Sequence, residues 1–335
     1  MRGRLYDEKG LDRELDLAKE SGLSGLTHKR RLLWLDVEAP EGNEAESREI
    51  AALAEEFDLG DSAHAWLSSS ADPAVEEDAD GCLLVSVVGY PQEETPVSVR
   101  CVVGHGWIVT AHDAEIDLIE IVNRPIHPAS SNVGGLDGPR FLALVLDWVV
   151  RGLFDRVEEL DRAVDDLDEK LIRRQVEGED QEVLDHILDL RGRTASLRRA
   201  AVAHRQVLAP LADPDLITLS GSTSARRFRD LSRRLEDMVS SLDSTRMAIG
   251  GSLDVFMTMT AQRTNDVMKV LTLTSILLLP ATVIAGVMGM NFQLGFFSNP
   301  LWFWAVLVLM GAVAGTTLLV ARRRGWIGAA ARRPA

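Results

Sequence analysis

The sequence runs to 335 residues, with 51 acidic and 36 basic side chains, a formal charge of −15 and a mean hydropathy of +0.02. Such a charge repels nucleic acid and suits cations, although an acidic surface also serves plain solubility. No GxxxxGKS phosphate loop, HExxH or CxxC pattern occurs, so nucleotide-driven pumping, zinc hydrolysis and a cysteine metal site have no support.

Met1 to Lys9 is charged and lacks an apolar stretch, so no signal peptide is expected and the N-terminus should stay in the cytosol. Arg31 to Val37 (RLLWLDV) predicts a strand, and Glu46 to Phe57, with Ile50, Leu53, Ala54 and Phe57 at helical spacing, predicts a helix. Three β-branched runs follow: Cys82 to Tyr90, Val97 to Val103 and Trp107 to Ala111. The short breaks between them predict antiparallel neighbours. Cys82 and Cys101 lie inside these apolar runs and read as reduced packing residues. His105 and His112 flank the last run and Asp113 follows, but seven histidines without catalytic spacing give no reason to expect an enzyme. The expectation is an α+β cytosolic domain over residues 1–138.

From Pro139 the pattern turns helical. Asp155 to Glu169 holds eight carboxylates interleaved with Val157, Leu160, Val164 and Leu167, which predicts one buried and one strongly negative face. A further helix is expected from about Asp180 to Leu208, ended by Pro210 and Pro214, completing a helical segment over 139–223. A long stalk helix is expected over 224–269. Leu231, Leu235, Met238, Leu242, Ile249 and Phe256 recur along it as a coiled-coil-like seam suited to copies of itself. Gly250 and Gly251 interrupt it and mark close packing or a flexible point.

The final part answers to a different solvent. No Asp, Glu, Lys or Arg occurs from Val270 to Ala321, and Leu271–Met290 and Leu301–Val320 each offer twenty uncharged, mainly apolar residues. A helix needs about 20 such residues to cross a bilayer. Two transmembrane helices are therefore expected, at about 270–290 and 301–321, with a basic tail over 322–335. Arg263 and Lys269 precede the first span, and Arg322, Arg323, Arg324, Arg332 and Arg333 follow the second, while the linking loop has no basic residue. Both termini are expected to be cytosolic, in a multi-pass protein of the cell membrane.

The first span closes with Gly289, Met290 and Asn291, followed by Phe292. This GMN tripeptide ends the first of two C-terminal spans, and the run Asn265 to Thr272 (NDVMKVLT), Pro280, and Ile284 to Gly286 precede it. Together they resemble the CorA family of magnesium transporters, and Trp326 in a basic tail is similar to that family's ending. The resemblance implies a homopentameric channel, with five first spans around a pore and GMN as the selectivity signature. It implies Mg²⁺ as transported ion, with Co²⁺ and Ni²⁺ as further candidates, and the bilayer, divalent cations and copies of the chain as partners. No organic cofactor and no nucleic acid are expected.

Helical stepping places Asp254, Asn265, Met268, Leu271, Thr272, Leu279, Thr282 and Gly286 as the candidate pore lining. Oxygen-bearing rings there would orient an ion's water shell, and apolar rings would act as constrictions that gate by dewetting. The hydroxyls of Thr272 and Thr282 fit a helix that bonds its own backbone equally well. The amide of Asn291 is neutral and suits Mg²⁺, which sheds its waters reluctantly. By similarity Asp254 occupies an acidic ring near the cytosolic mouth, and Asp230 an acidic position where the family binds a regulatory ion between subunits, here Mg²⁺.

Two departures bear on this. The His-Pro-Leu…Glu-Asp segment that supplies the family's partner acids is replaced by Asp61 to Ser70 (DSAHAWLSSS), leaving Glu76, Glu77, Asp78 and Asp80 as substitutes or as a solvated loop. The outer loop Gln293 to Pro300 (QLGFFSNP) lacks the family's Met-Pro-Glu-Leu carboxylate. A zinc-transporting relative of the same fold therefore stays in play, as does a non-conducting, membrane-anchored sensor or scaffold.

Overall fold

A computed structural model describes residues 2–7, 13–15, 23–26, 31–38, 44–68, 72–79, 81–91, 95–114, 118, 137–172, 180–213, 222–290 and 300–323. The chain divides into two compact units, Met1–Ser252 and Leu253–Ala335.

The first unit is built on one mixed sheet. Its strands are β1 (Arg2–Asp7), β2 (Arg13–Leu15), β3 (Arg31–Glu38), β4 (Ala74–Glu77), β5 (Leu83–Gly89), β6 (Val97–Gly104) and β7 (Trp107–His112), in the order β2-β1-β3-β7-β6-β5-β4. The expected antiparallel run β5-β6-β7 is present, with Val85 opposite Cys101 and Cys101 opposite Thr110. Sequence reading did not find β1, β2 or β4. β1 alternates Arg2 and Arg4 with its apolar residues, and β4 is an edge strand carrying Glu76 and Glu77, which reads as a solvated loop.

The junction at the centre is the parallel pair β3–β7, with Leu35 opposite Val109. Every residue from Leu32 to Val37 is buried, because both faces of β3 are covered. On one face Leu33, Leu35, Val37, Val109 and Ala111 pack with Ile50 and Leu53 of α1 (Glu44–Glu56) and with Ala63 and Leu67 of α2 (Asp61–Ser68). On the other face Trp34 lies 4.6 Å, ring to ring, from Phe141 of α3 (Gly138–Ile172).

The start of α3 is written in Asp137-Gly138-Pro139. Asp137 caps the helix by accepting the Arg140 amide at 2.9 Å, and Pro139 gives up only an amide that has no helical partner. Gly138 is required for a different reason: a Cβ there would meet the Gly104 carbonyl oxygen at 2.5 Å. The helix begins pressed against the β6–β7 hairpin, whose turn is made by Gly106 at φ 81°.

α4 (Asp180–Leu211) runs three residues past the expected stop, with Pro210 inside its last turn, where the ring forfeits a single amide. α5 (Ser222–Met288) is continuous for 67 residues, and α6 (Pro300–Arg323) follows. In the first unit α5 lies alongside α3: Arg234 reaches Asp147, Thr245 reaches Asp161 and Ser252 reaches Asp168. Both numbers rise together, so the two helices run parallel.

This corrects the expected self-association seam. Leu231, Leu235, Met238, Leu242 and Ile249 are buried within the single chain, because α3 and α4 already occupy that face. At Gly250 and Gly251 nothing lies within 4 Å of a built Cβ, so close packing inside the chain is not their purpose.

Candidate ion pathway

Beyond Ser252 the same helix changes solvent. The apolar window of α5 buries none of its residues in the chain, and that of α6 buries 6%. Leu271, Leu278, Leu279, Val283 and Val287 are all more than half exposed. Water cannot wet a surface of this size at tolerable cost, so it must face lipid or other protein. Both helices are long and apolar enough to cross a membrane.

The candidate pore residues all lie on α5. Asp254, Asn265, Met268, Leu271, Thr272, Leu279, Thr282 and Gly286 are all exposed in the single chain. Asp254, Asn265, Thr272 and Leu279 fall on one stripe at 3.6 residues per turn, with Met268 and Gly286 beside it and Leu271 and Thr282 at its edge. Both threonine hydroxyls donate to their own helix, Thr272 to the Met268 carbonyl at 2.7 Å and Thr282 to the Leu278 carbonyl at 2.8 Å. The proton is thus used inward, and the remaining oxygen lone pairs are what such a ring offers to an ion's water shell. Asp266 is held by Lys269 at 2.8 Å, so the Asp254 carboxylate is the one acid of the described 253–290 segment outside an ion pair.

The helix ends at Met288. The Gly289 amide still donates to Ala285 at 2.9 Å and the Met290 amide to Val287 at 3.3 Å, so the backbone leaves the helix within the signature. Asn291, the loop to residue 299, and the tail with Arg324, Trp326, Arg332 and Arg333 lie outside the described residues.

Asp230 is exposed on α5, in a groove of the first unit shared with Asp147 of α3, Arg227 and Arg234. Asp147 is bonded by Arg151 at 2.7 Å and by Arg234 at 3.2 Å. Sequence reading did not find these arginines. Arg151 stands four residues after Asp147, a helical pairing signal, whereas Arg234 is brought in by the parallel packing alone. Glu76 and Glu77 stand on β4, Asp78 accepts the Ala79 amide in a turn, and Asp80 lies outside the described residues. Among the described residues no three His, Cys, Asp or Glu side chains gather into a metal-holding group.

The histidine of the sheet, His112, is structural. His112 is buried, with Nε2 3.3 Å from Asp36 and Nδ1 2.6 Å from the Ala114 carbonyl. Thr110 donates to Asp36 and accepts the Trp34 indole N–H at 2.9 Å. Burial opposes the charged ring of His112, but the Asp36 hydrogen bond and charge, the Ala114 carbonyl and Glu38 outweigh it and raise its pKa. The Cys101 thiol is pushed far up by burial and by Asp36, so it is inert, and neither cysteine forms a disulfide.

An α+β unit, a continuous 67-residue helix and two helices long and apolar enough to cross a membrane define the architecture of a two-span membrane-protein subunit. The profile of the CorA-like Mg²⁺ transporter protein family matches residues 29–323, and the chain belongs to that family. The cobalt/magnesium transport protein CorA of Methanocaldococcus jannaschii is 25% identical over 302 residues, covering 89% of this chain and 92% of that protein. The complete structure of the CorA magnesium transporter from the same organism superposes with a TM-score of 0.79, at 22% identity, over 98% of this chain and 99% of the other. The full-length CmaX protein shares the fold at a TM-score of 0.73 and 18% identity, over 96% and 97% of the two chains. The expected fold class, an α+β domain with a long helix and two C-terminal apolar helices, is thus established.

Proposed function

We propose that the chain is one subunit of a passive channel for hydrated divalent cations, chiefly Mg²⁺, with Co²⁺ and Ni²⁺ also admitted. Five copies would enclose the pathway, since a single hairpin of helices cannot surround water. The observation that carries the reading is the Gly289-Met290-Asn291 signature, which falls where the apolar part of α5 ends. A ring of neutral amides at that point would bind an ion through its water shell, which suits Mg²⁺. The drive is the membrane potential: about 2.3 kcal/mol per charge per 100 mV, doubled for a divalent ion.

In this scheme residues 1–138 form the cytosolic α+β domain, 139–223 the helical segment, 224–269 the stalk, 270–321 the membrane hairpin and 322–335 a basic cytosolic tail. Asp254, Asn265, Met268, Leu271, Thr272, Leu279, Thr282 and Gly286 line the pore, with both termini in the cytosol. Uptake of Mg²⁺ into proteoliposomes should fall sharply in Asn291→Ala. Unchanged uptake would refute the pore assignment.

A second reading, zinc transport on the same fold, draws on the missing carboxylate in Gln293 to Pro300. Competition between Zn²⁺ and Mg²⁺ in the same flux assay separates the two, and absence of conductance in the purified oligomer would favour the sensor or scaffold.

A further inference from the structure

Along α5 the candidate lining advances by steps of three and four residues, through Asn265, Met268 and Thr272 and then Leu279, Thr282 and Gly286, and it leaves one seat empty. That seat, three residues past Thr272 and four before Leu279, belongs to Ser275. At about 100° per residue, the lining residues inside the apolar span (Leu271, Thr272, Leu279, Thr282 and Gly286) centre within about 20° of Ser275.

Burial within the second unit points the same way. Leu273, Leu277, Pro280, Ala281 and Ile284 are half-buried, whereas every other residue from Leu271 to Val287 is exposed. The half-buried residues share one flank, and Ser275 stands about 180° from its centre. In a ring of copies with α5 innermost, the covered flank turns outward and the bare flank faces the axis. Thr274 is the natural contrast, since it stands about 110° from the centre of the lining and beside the covered flank. Both hydroxyls donate to their own helix at 2.9 Å, Ser275 to the Leu271 carbonyl and Thr274 to the Val270 carbonyl, so either could sit in lipid. Position alone separates them.

Leu271, Ser275 and Leu279 follow one another at intervals of one helical turn. Apolar rings at Leu271 and Leu279 resist wetting, and a ring of hydroxyl oxygens between them offers lone pairs to an ion's water shell. We infer that Ser275 is a further pore residue, whose hydroxyl ring divides the apolar constriction into two short collars and gives a hydrated cation a resting place between them. The inference deepens the proposed channel function and rests on it.

The test uses the full-length protein in proteoliposomes. Ser275→Leu would join Leu271 and Leu279 into one apolar collar about 12 Å long, and Mg²⁺ uptake should fall about tenfold or more. Thr274→Leu deletes a hydroxyl away from the path and should keep uptake within about twofold. A lipid-facing serine would tolerate leucine, so equal uptake in wild type and Ser275→Leu overturns the inference. A second arm reads position without flux. In a Cys82→Ala background, where the remaining Cys101 thiol is buried and inert, Ser275→Cys, Thr272→Cys and Leu279→Cys should react with a membrane-impermeant cationic thiosulfonate at least about tenfold faster than Thr274→Cys. Ser275→Cys as slow as Thr274→Cys, beside reactive Thr272→Cys and Leu279→Cys, overturns the inference and leaves the channel standing. If none of the four reacts, the pore assignment of α5 falls and takes the inference with it.

Discussion

Two buried histidines of the first unit should tilt its stability in opposite directions with pH. His204 of α4 is 2% exposed; its Nδ1 faces the Ala200 carbonyl at 2.7 Å and its Nε2 accepts the Val88 amide at 3.0 Å. That pairing requires the neutral ring, because a protonated Nε2 cannot accept. Burial is the main cause of a lowered pKa, with the Ala200 carbonyl pulling the other way. With the folded pKa below the unfolded value of about 6.5, the unfolded chain takes the proton first as pH falls. The His204 contribution is therefore present above about pH 6.5 and is lost below it, at no more than about 1.4 kcal/mol per pH unit. His204→Gln cannot titrate and should flatten that limb, while costing about 1–3 kcal/mol at pH 7.5 if the Val88 amide loses its partner. His112, raised by Asp36 against its burial, behaves in reverse: its contribution is full below about pH 6.5 and is lost as pH rises through the folded pKa. His112→Gln should flatten the alkaline limb. Urea unfolding of the full-length protein across pH 5 to 8, with exchange at the β5 peptide as local readout, checks both. If the wild type and His204→Gln lose stability equally between about pH 6.5 and 5, the argument from the Val88 hydrogen bond is wrong.

Three further outcomes follow from contacts in the same unit. Thr245→Val removes the hydroxyl that serves Asp161 and should cost about 1–2 kcal/mol, and Ser252→Ala a similar amount at Asp168; a heptad apart, the two should add. Trp34→Phe keeps an aromatic ring against Phe141 but deletes the N–H that serves Thr110, with an expected loss of about 2 kcal/mol in urea unfolding. Gly138→Ala should destabilise by about 1–3 kcal/mol even though alanine is the better helix former, since its methyl group would strike the Gly104 carbonyl oxygen and Val103. A thermal melt showing Gly138→Ala as stable as wild type would mean that the hairpin yields freely.

The elements legible in the sequence are those whose environment is uniform along their length. β3 and β5 to β7 are buried on both faces, so their apolar runs announce them, and the apolar part of α5 and α6 carries an uncharged, mainly apolar composition all round and is long enough to cross a membrane. β2 and β4 escaped because they are strands of three and four residues at the ends of the described sheet, and β1 because Arg2 and Arg4 interrupt its apolar residues, although Leu5 and Tyr6 are buried in the core. The β3–β7 parallel junction was also invisible, since it joins segments about 75 residues apart and no local pattern encodes it.

The stalk shows why the partner of a pattern is harder to read than the pattern. Heptad spacing from Leu231 to Ile249 states that one face is buried, and the structure agrees; it cannot state whether the covering helix belongs to the same chain. The deciding information sits on α3, in carboxylates one heptad apart that find hydroxyls one heptad apart on α5. The same holds at Asp230, where an acid at a family position suggests a cation ligand. The parallel packing delivers Arg234 to Asp147 in the groove that Asp230 lines, a pairing that no local pattern encodes. Motif letters carry a role across relatives only as far as the charges around them are carried too. Here the letter Asp230 is kept in a groove it shares with Asp147, Arg227 and Arg234, and it is the surroundings that determine what an exposed carboxylate can bind.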